Sequence, residues 1–172
     1  FSGGYPVTNI IDYVTIASTG NAADFGNLTA GRQGLPGSCV SSSTRGLIMG
    51  GSTPTTVDTI DYITIATTGD AVDFGNLTAV RFYGAATCSP TRAIYCGGSP
   101  VVDIIQFVEI ATTGNAVDFG DLARADQGVV GNSNSTRGVF AGGAEGGVVN
   151  TVQYITMAAK GDTADFGDLS VA

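Results

Sequence analysis

Along "TIDYITIA", residues 59–66, apolar and polar side chains do not separate into one wet and one dry side. Ile60, Tyr62, Thr64 and Ala66 fall on one face of an extended chain, and Asp61, Ile63 and Ile65 on the other. Successive side chains of a strand point to opposite faces, so apolar groups on both predict a strand in a sheet covered from both sides. Downstream, "TTGD" predicts a Gly-Asp hairpin turn, because glycine accepts positive φ, and "AVDFGNL" predicts the returning strand, anchored by Phe74 and Leu77. "VRFYGAATC" predicts a third strand, "SPTR" a turn, and "AIYCGG" a fourth strand.

The same pattern returns along the chain. Gly-Gly recurs at Gly3-Gly4, Gly50-Gly51, Gly97-Gly98 and Gly142-Gly143, in steps of 47, 47 and 45 residues. An aromatic follows at Tyr13, Tyr62, Phe107 and Tyr154, and the phenylalanine of a "DFG" comes twelve residues later each time, at Phe25, Phe74, Phe119 and Phe166. Thr-Arg precedes the last three glycine pairs, at Arg45, Arg92 and Arg137. The constant aromatic-to-phenylalanine span predicts a tight hairpin of fixed register. The span from glycine pair to aromatic varies, as expected of a surface loop. Crowded backbones near a common axis would explain the glycine pairs.

Four short strands in about 47 residues match one propeller blade. The fold expected is therefore all-β, a β-propeller of about four four-stranded blades in a single repeat domain, 1–172. Its approximate repeats are 1–31 (partial), 32–80, 81–123 and 124–172. By strand count the first blade lacks one strand, so a four-bladed ring, a fragment of a larger ring or an assembly of copies is expected. The opening "FSGGYPV" has no methionine, basic segment or apolar segment of a leader, and reads as processed or truncated.

Composition narrows the chemistry. The chain has 172 residues, 43% hydrophobic and 13% charged, with 26 glycines, which fits a packed and turn-rich protein. No apolar run reaches the roughly 18 residues of a spanning helix, so no membrane insertion is expected. A net charge of −8 repels phosphate backbones and argues against nucleic-acid partners. Histidine is absent, which excludes a Ser-His-Asp triad, a Cys-His dyad and the usual zinc or copper sites. Cys39, Cys88 and Cys96 make no disulfide framework and are expected to be small buried thiols. A hairpin across "SPTR" would set Cys88 opposite a residue near Ala93.

Several motifs suggest sites. As a kinase signature "DFG" needs a histidine-containing catalytic loop and a strand lysine, and this chain has only Lys160. Asp24, Asp73, Asp118 and Asp165, with Asn21, Asp70, Asn115 and Asp162, could form a calcium ring if they faced an axis; turn capping is the simpler expectation, with no cofactor. Arg45, Arg92 and Arg137 are expected to satisfy carbonyls or pair with the repeated aspartates, with an anionic sugar as their alternative ligand. The sequons at Asn27, Asn76 and Asn134 are read as chance matches.

"MGG", Tyr62, Phe74 and Arg81, in that order, resemble the kelch repeat, a four-stranded propeller blade. Two departures stand out: phenylalanine replaces the family's usual tryptophan, and Asp126 stands where Arg32 and Arg81 precede it. The phrasing "TTGNAVDFGDL" with "TRGVFAGG" also looks like tandem repeats of marine tailed phages and environmental sequences. These resemblances imply a non-enzymatic structural or interaction propeller, on a virion (tail fibre or appendage) or in an extracellular filament, with other protein subunits as partners. The alternative is a glycan-binding propeller recognising cell-surface sugars. Its candidate loops are "STPTTVD", "SPVVD" and "AEGGVVN", with Thr53, Thr55, Val101, Asp103, Glu145 and Asn150 as contact residues.

Overall fold

The computed structural model describes residues 1–35, 37–144 and 146–171. Every regular element among them is a strand. β1 (Thr8–Tyr13) and β2 (Ala23–Arg32) form the first sheet, with Ser2 bridging to Ile11. The second sheet contains β3 (Cys39–Ser41), β4 (Arg45–Met49), β7 (Thr59–Thr64) and β8 (Val72–Asn76), in that spatial order. The small hairpin β5 (Ser52–Thr53) and β6 (Thr55–Thr56) hangs between β4 and β7. β9 (Ala85–Cys88), β10 (Arg92–Cys96), β11 (Val102–Glu109) and β12 (Val117–Asp126) make the third sheet. β13 (Val130–Ser133), β14 (Arg137–Ala141), β15 (Thr151–Thr156) and β16 (Ala164–Asp168) make the fourth. Within each four-stranded sheet chain order equals spatial order, and all neighbours are antiparallel.

The two apolar faces read from "TIDYITIA" have their reason here: the sheets stack, and three apolar layers lie between successive sheets. Ile11, Phe25 and Leu28 meet Ile48 and Ala71 between the first and second. Leu47, Met49, Ile60 and Phe74 meet Tyr95, Val108 and Ile110 between the second and third. Ile105, Phe107 and Phe119 meet Phe140, Ile155 and Met157 between the third and fourth. Strand alternation does the sorting, since Leu47 and Met49 enter one layer and Ile48 the opposite one. The short leading strands also touch from sheet to sheet, β3 against β9 and β9 against β13.

The twelve-residue span is a single structural device. Tyr13, Tyr62, Phe107 and Tyr154 sit in register with Ala23, Val72, Val117 and Ala164. This places each repeat aromatic edge-on to its phenylalanine, with ring centroids 5.9, 5.9, 5.8 and 6.0 Å apart. The expected hairpin across "SPTR" is also found, with Cys88 opposite Ala93.

Four expectations need correction. The loop at "TTGD" is no tight turn: residues 65–71 separate β7 from β8, because the loop's tip reaches out and bonds to the preceding sheet. The third strand is only β9, since residues 80–84 form a crossover whose Phe82 bridges to Ser99. The first sheet is short by more than one strand, having β1, β2 and the single Ser2 bridge. Finally, the first glycine of a pair crowds the exit segment of its own sheet, while the second meets the preceding crossover, Gly51 at Gln33 and Gly98 at Phe82. Gly50 and Gly97 are left-handed (φ 67° and 62°), and a Cβ there would stand 2.5 Å from the Arg81 carbonyl oxygen and 2.6 Å from that of Asp126.

Candidate functional site

Antiparallel order puts the Thr-Arg turns and the "TTG" loops on one rim, and the glycine-pair loops and crossovers on the other. On the first rim, Ser42, Ser89 and Asn134 accept hydrogen bonds from the Arg45, Arg92 and Arg137 amides at 3.1, 3.0 and 2.8 Å. Each guanidinium then lies over the aromatic of its own sheet: Arg45 over Tyr62 at 4.7 Å, Arg92 over Phe107 at 4.9 Å and Arg137 over Tyr154 at 4.7 Å. Arg45 donates onward to the Ile110 carbonyl and Arg92 to the Met157 carbonyl, both at 2.9 Å and both in the following sheet. The carbonyl half of the expectation therefore holds for Arg45 and Arg92. The aspartate half does not, because the "DFG" aspartates lie on the last strand of each sheet; the carboxylate that Arg92 meets is Glu109, at 2.8 Å.

Asp24, Asp73, Asp118 and Asp165 are exposed, at the register shift of each hairpin. They sit on the trailing strands, away from the leading strands that touch between sheets, so they form no axial ring. The caps come instead from the loop tips. Asp70, Asn115 and Asp162 accept from the amides of Asn27, Asn76 and Asp121, one sheet earlier, at 2.9, 3.0 and 3.0 Å. Those oxygens are committed to backbone donors, and the described residues contain no cluster of three His, Cys, Asp or Glu suited to a metal. Lost hydration and the neighbouring Asp103, Asp162 and Asp118 push the Asp121 carboxyl above its ordinary value.

The opposite rim carries the candidate loops. Thr53 and Thr55 face each other across the β5–β6 hairpin, which is tied to the crossover by the Gln33–Ser52 bridge. Val101 immediately precedes β11, the exposed Asp103 lies at its start, and Asn150 precedes β15, where its carbonyl accepts from the Leu169 amide at 2.7 Å. Glu145 lies outside the described residues. The loops belong to three different sheets and each is tied to the crossover before it, so the candidate residues share a rim while being spread over separate sheets.

Sequence reasoning missed an aromatic pair on this rim. The Phe82 and Tyr83 rings meet at 4.7 Å with their planes tilted by 47°, and Tyr83 is 44% exposed with a left-handed φ of 56°. The matching positions after Leu28 and Leu122 are Gly34 and Gly128, with φ of 71° and 68°. A tyrosine where the fold elsewhere uses glycine carries about 1–3 kcal/mol of local strain. Tyr83 lines a hollow with Gly37, Gly128, Val129 and Val130.

A second missed feature is buried. Arg32 donates to the carbonyls of Gly50 at 3.0 Å and Thr59 at 2.9 Å, and pairs with Asp61, both side chains being shut from solvent. Asp61 also accepts from the Thr29 amide at 3.1 Å. Gln106 and Gln153 take over that acceptor role in later sheets, receiving the Thr78 and Ala123 amides at 2.7 and 2.9 Å. The thiols split three ways: Cys96 is buried, Cys88 half-buried and Cys39 exposed, which corrects the expectation of uniform burial. Cys39, on β3 of the second sheet, faces the first sheet, which has no leading strand to cover it; its thiol lies 3.6 Å from the Ser2 hydroxyl, and lost hydration pushes its pKa up.

No family model matches the chain, and no curated protein is significantly similar to it.

Proposed function

We propose that the chain is a non-enzymatic structural and interaction module, a β-propeller of kelch-like units belonging to a virion appendage or an extracellular filament. One observation carries this reading. The repeated residues are spent on contact between sheets: Arg45, Arg92 and the buried "DFG" phenylalanines meet the following sheet, and Asp70, Asn115 and Asp162 cap the preceding one. A repeat used this way builds a stack of sheets and leaves no copy specialised for chemistry. Other protein subunits are engaged through the surfaces left open, the exposed ends of the stack and the glycine-pair rim. Antibodies raised against the chain should label appendages or filaments in electron micrographs of the producing cells or particles; label confined to the cell interior contradicts the assignment.

The glycan-binding reading has one observation in its favour, the Phe82–Tyr83 pair on the loop rim. Aromatic faces stack on sugar rings, and strain retained at an exposed residue is a pointer to function. On a glycan array, saturable binding lost on Tyr83→Gly would favour this reading over the first.

A further inference from the structure

We propose that a second copy of this chain docks head to tail, its first sheet covering the bare face of the fourth. This rests on the assembly reading above and names the partner and the surface. The internal contact between sheets is built the same way three times. The carbonyls of Phe25, Phe74 and Phe119 accept from the loop amides of Gly69, Gly114 and Gly161 of the next sheet, at 2.7, 2.8 and 2.8 Å. Two residues on, the carbonyls of Asn27, Asn76 and Asp121 accept from Ala71, Ala116 and Thr163 at 2.7, 2.8 and 2.9 Å. The loop-tip caps and, twice, the arginine bond complete the set.

Each half of this contact is bare once. On the fourth sheet, Phe166 is 57% exposed where Phe25, Phe74 and Phe119 are 8%, 2% and 2%. Arg137 is stacked on Tyr154 like its counterparts but exposed, and Gly167 faces open space where Gly120 abuts Gly161. On the first sheet the complement is in place: exposed Gly20 and Ala22 amides, the Asn21 side chain in the place of Asp70, Asn115 and Asp162, and the carbonyl of Ile16 in the place of those of Ile110 and Met157. Ile16 is 98% exposed, whereas Ile110 and Met157, each lying under a preceding sheet, are 2% exposed. One end therefore offers the acceptors and the guanidinium, the other the amides and the carbonyl. The joint engages the trailing half of the interface, because the first sheet has only β1 and β2. Such a heterologous contact closes as a ring or grows as a filament, according to the rotation per copy.

Sedimentation equilibrium on the purified chain tests this. The mass should rise above 17.3 kDa with concentration. Ile16→Asp blocks one end and Phe166→Asp the other, with Arg137→Glu as a second tail variant that keeps the Tyr154–Phe166 ring pair. Each variant alone should remain monomeric. An equimolar mixture of a head variant and a tail variant should form pairs and stop there, since each supplies one intact end. Association unaffected by these variants overturns the surface while leaving the assembly reading in place. A wild-type chain monomeric at every concentration, or a mixture that never pairs, overturns the proposal outright, and labelling of appendages then decides the assembly reading on its own.

Discussion

Phe74 and Phe166 occupy the same repeat position, hold the same edge-on contact and differ in what lies beyond them. Phe74 is 2% exposed and Phe166 57%. Phe74→Ala should cost about 3–5 kcal/mol, as for a buried aromatic. Phe166→Ala should cost about 1 kcal/mol or less, read as the difference in urea-unfolding free energy of the isolated chain. The Arg32–Asp61 pair makes a different demand. Asp61→Ala leaves a buried guanidinium uncompensated and should cost about 3–5 kcal/mol, while Arg32→Met with Asp61→Leu should cost less than that single change. Burial also holds protons. Burial raises the Cys96 thiol well above its ordinary 9.0 and the Tyr95 hydroxyl from 10.0 to about 12. The unfolded chain releases these protons first, so stability is whole below about pH 9 and falls as pH rises towards 12. Urea midpoints measured from pH 8 to 11 should decline, and Tyr95→Phe should flatten part of the decline.

At the scale of elements, the hairpin holding each aromatic and its phenylalanine was legible because its determinants are local. A constant span fixes a register, and Tyr62 and Phe74 are brought together within one strand pair. The "TTGD" loop was misread because its partner is remote: the Gly69 amide donates to Phe25, 44 positions earlier in the chain, and nothing in four letters announces that. The same holds for the glycines. Gly75 and Gly167 share a "DFG" position, but only Gly75 meets a neighbour, with a Cβ falling 2.4 Å from the Gly114 carbonyl oxygen. Both have φ near 140°, so alanine strains either backbone. Gly75→Ala should lower stability by about 1–3 kcal/mol more than Gly167→Ala, the excess measuring the close approach of sheets.

At the scale of the molecule, stacked four-stranded sheets were readable from apolar groups on both strand faces together with the repeat length. The site was less legible. The loop residues Thr53, Thr55, Val101, Asp103 and Asn150 stood out by variability, and the structure spreads them over separate sheets. Tyr83 carried its signal only through comparison with Gly34 and Gly128, a difference of backbone conformation that side-chain patterns do not display. The repeated letters fasten each sheet to the one before it. Hydrogen exchange of the four loop amides, Gly20, Gly69, Gly114 and Gly161, measured in dilute solution where the chain is monomeric, tests it most directly. Gly69, Gly114 and Gly161 should be protected by their bonds to the preceding sheet, and Gly20 should exchange at nearly the rate of an unfolded peptide. Four amides exchanging alike would contradict the claim.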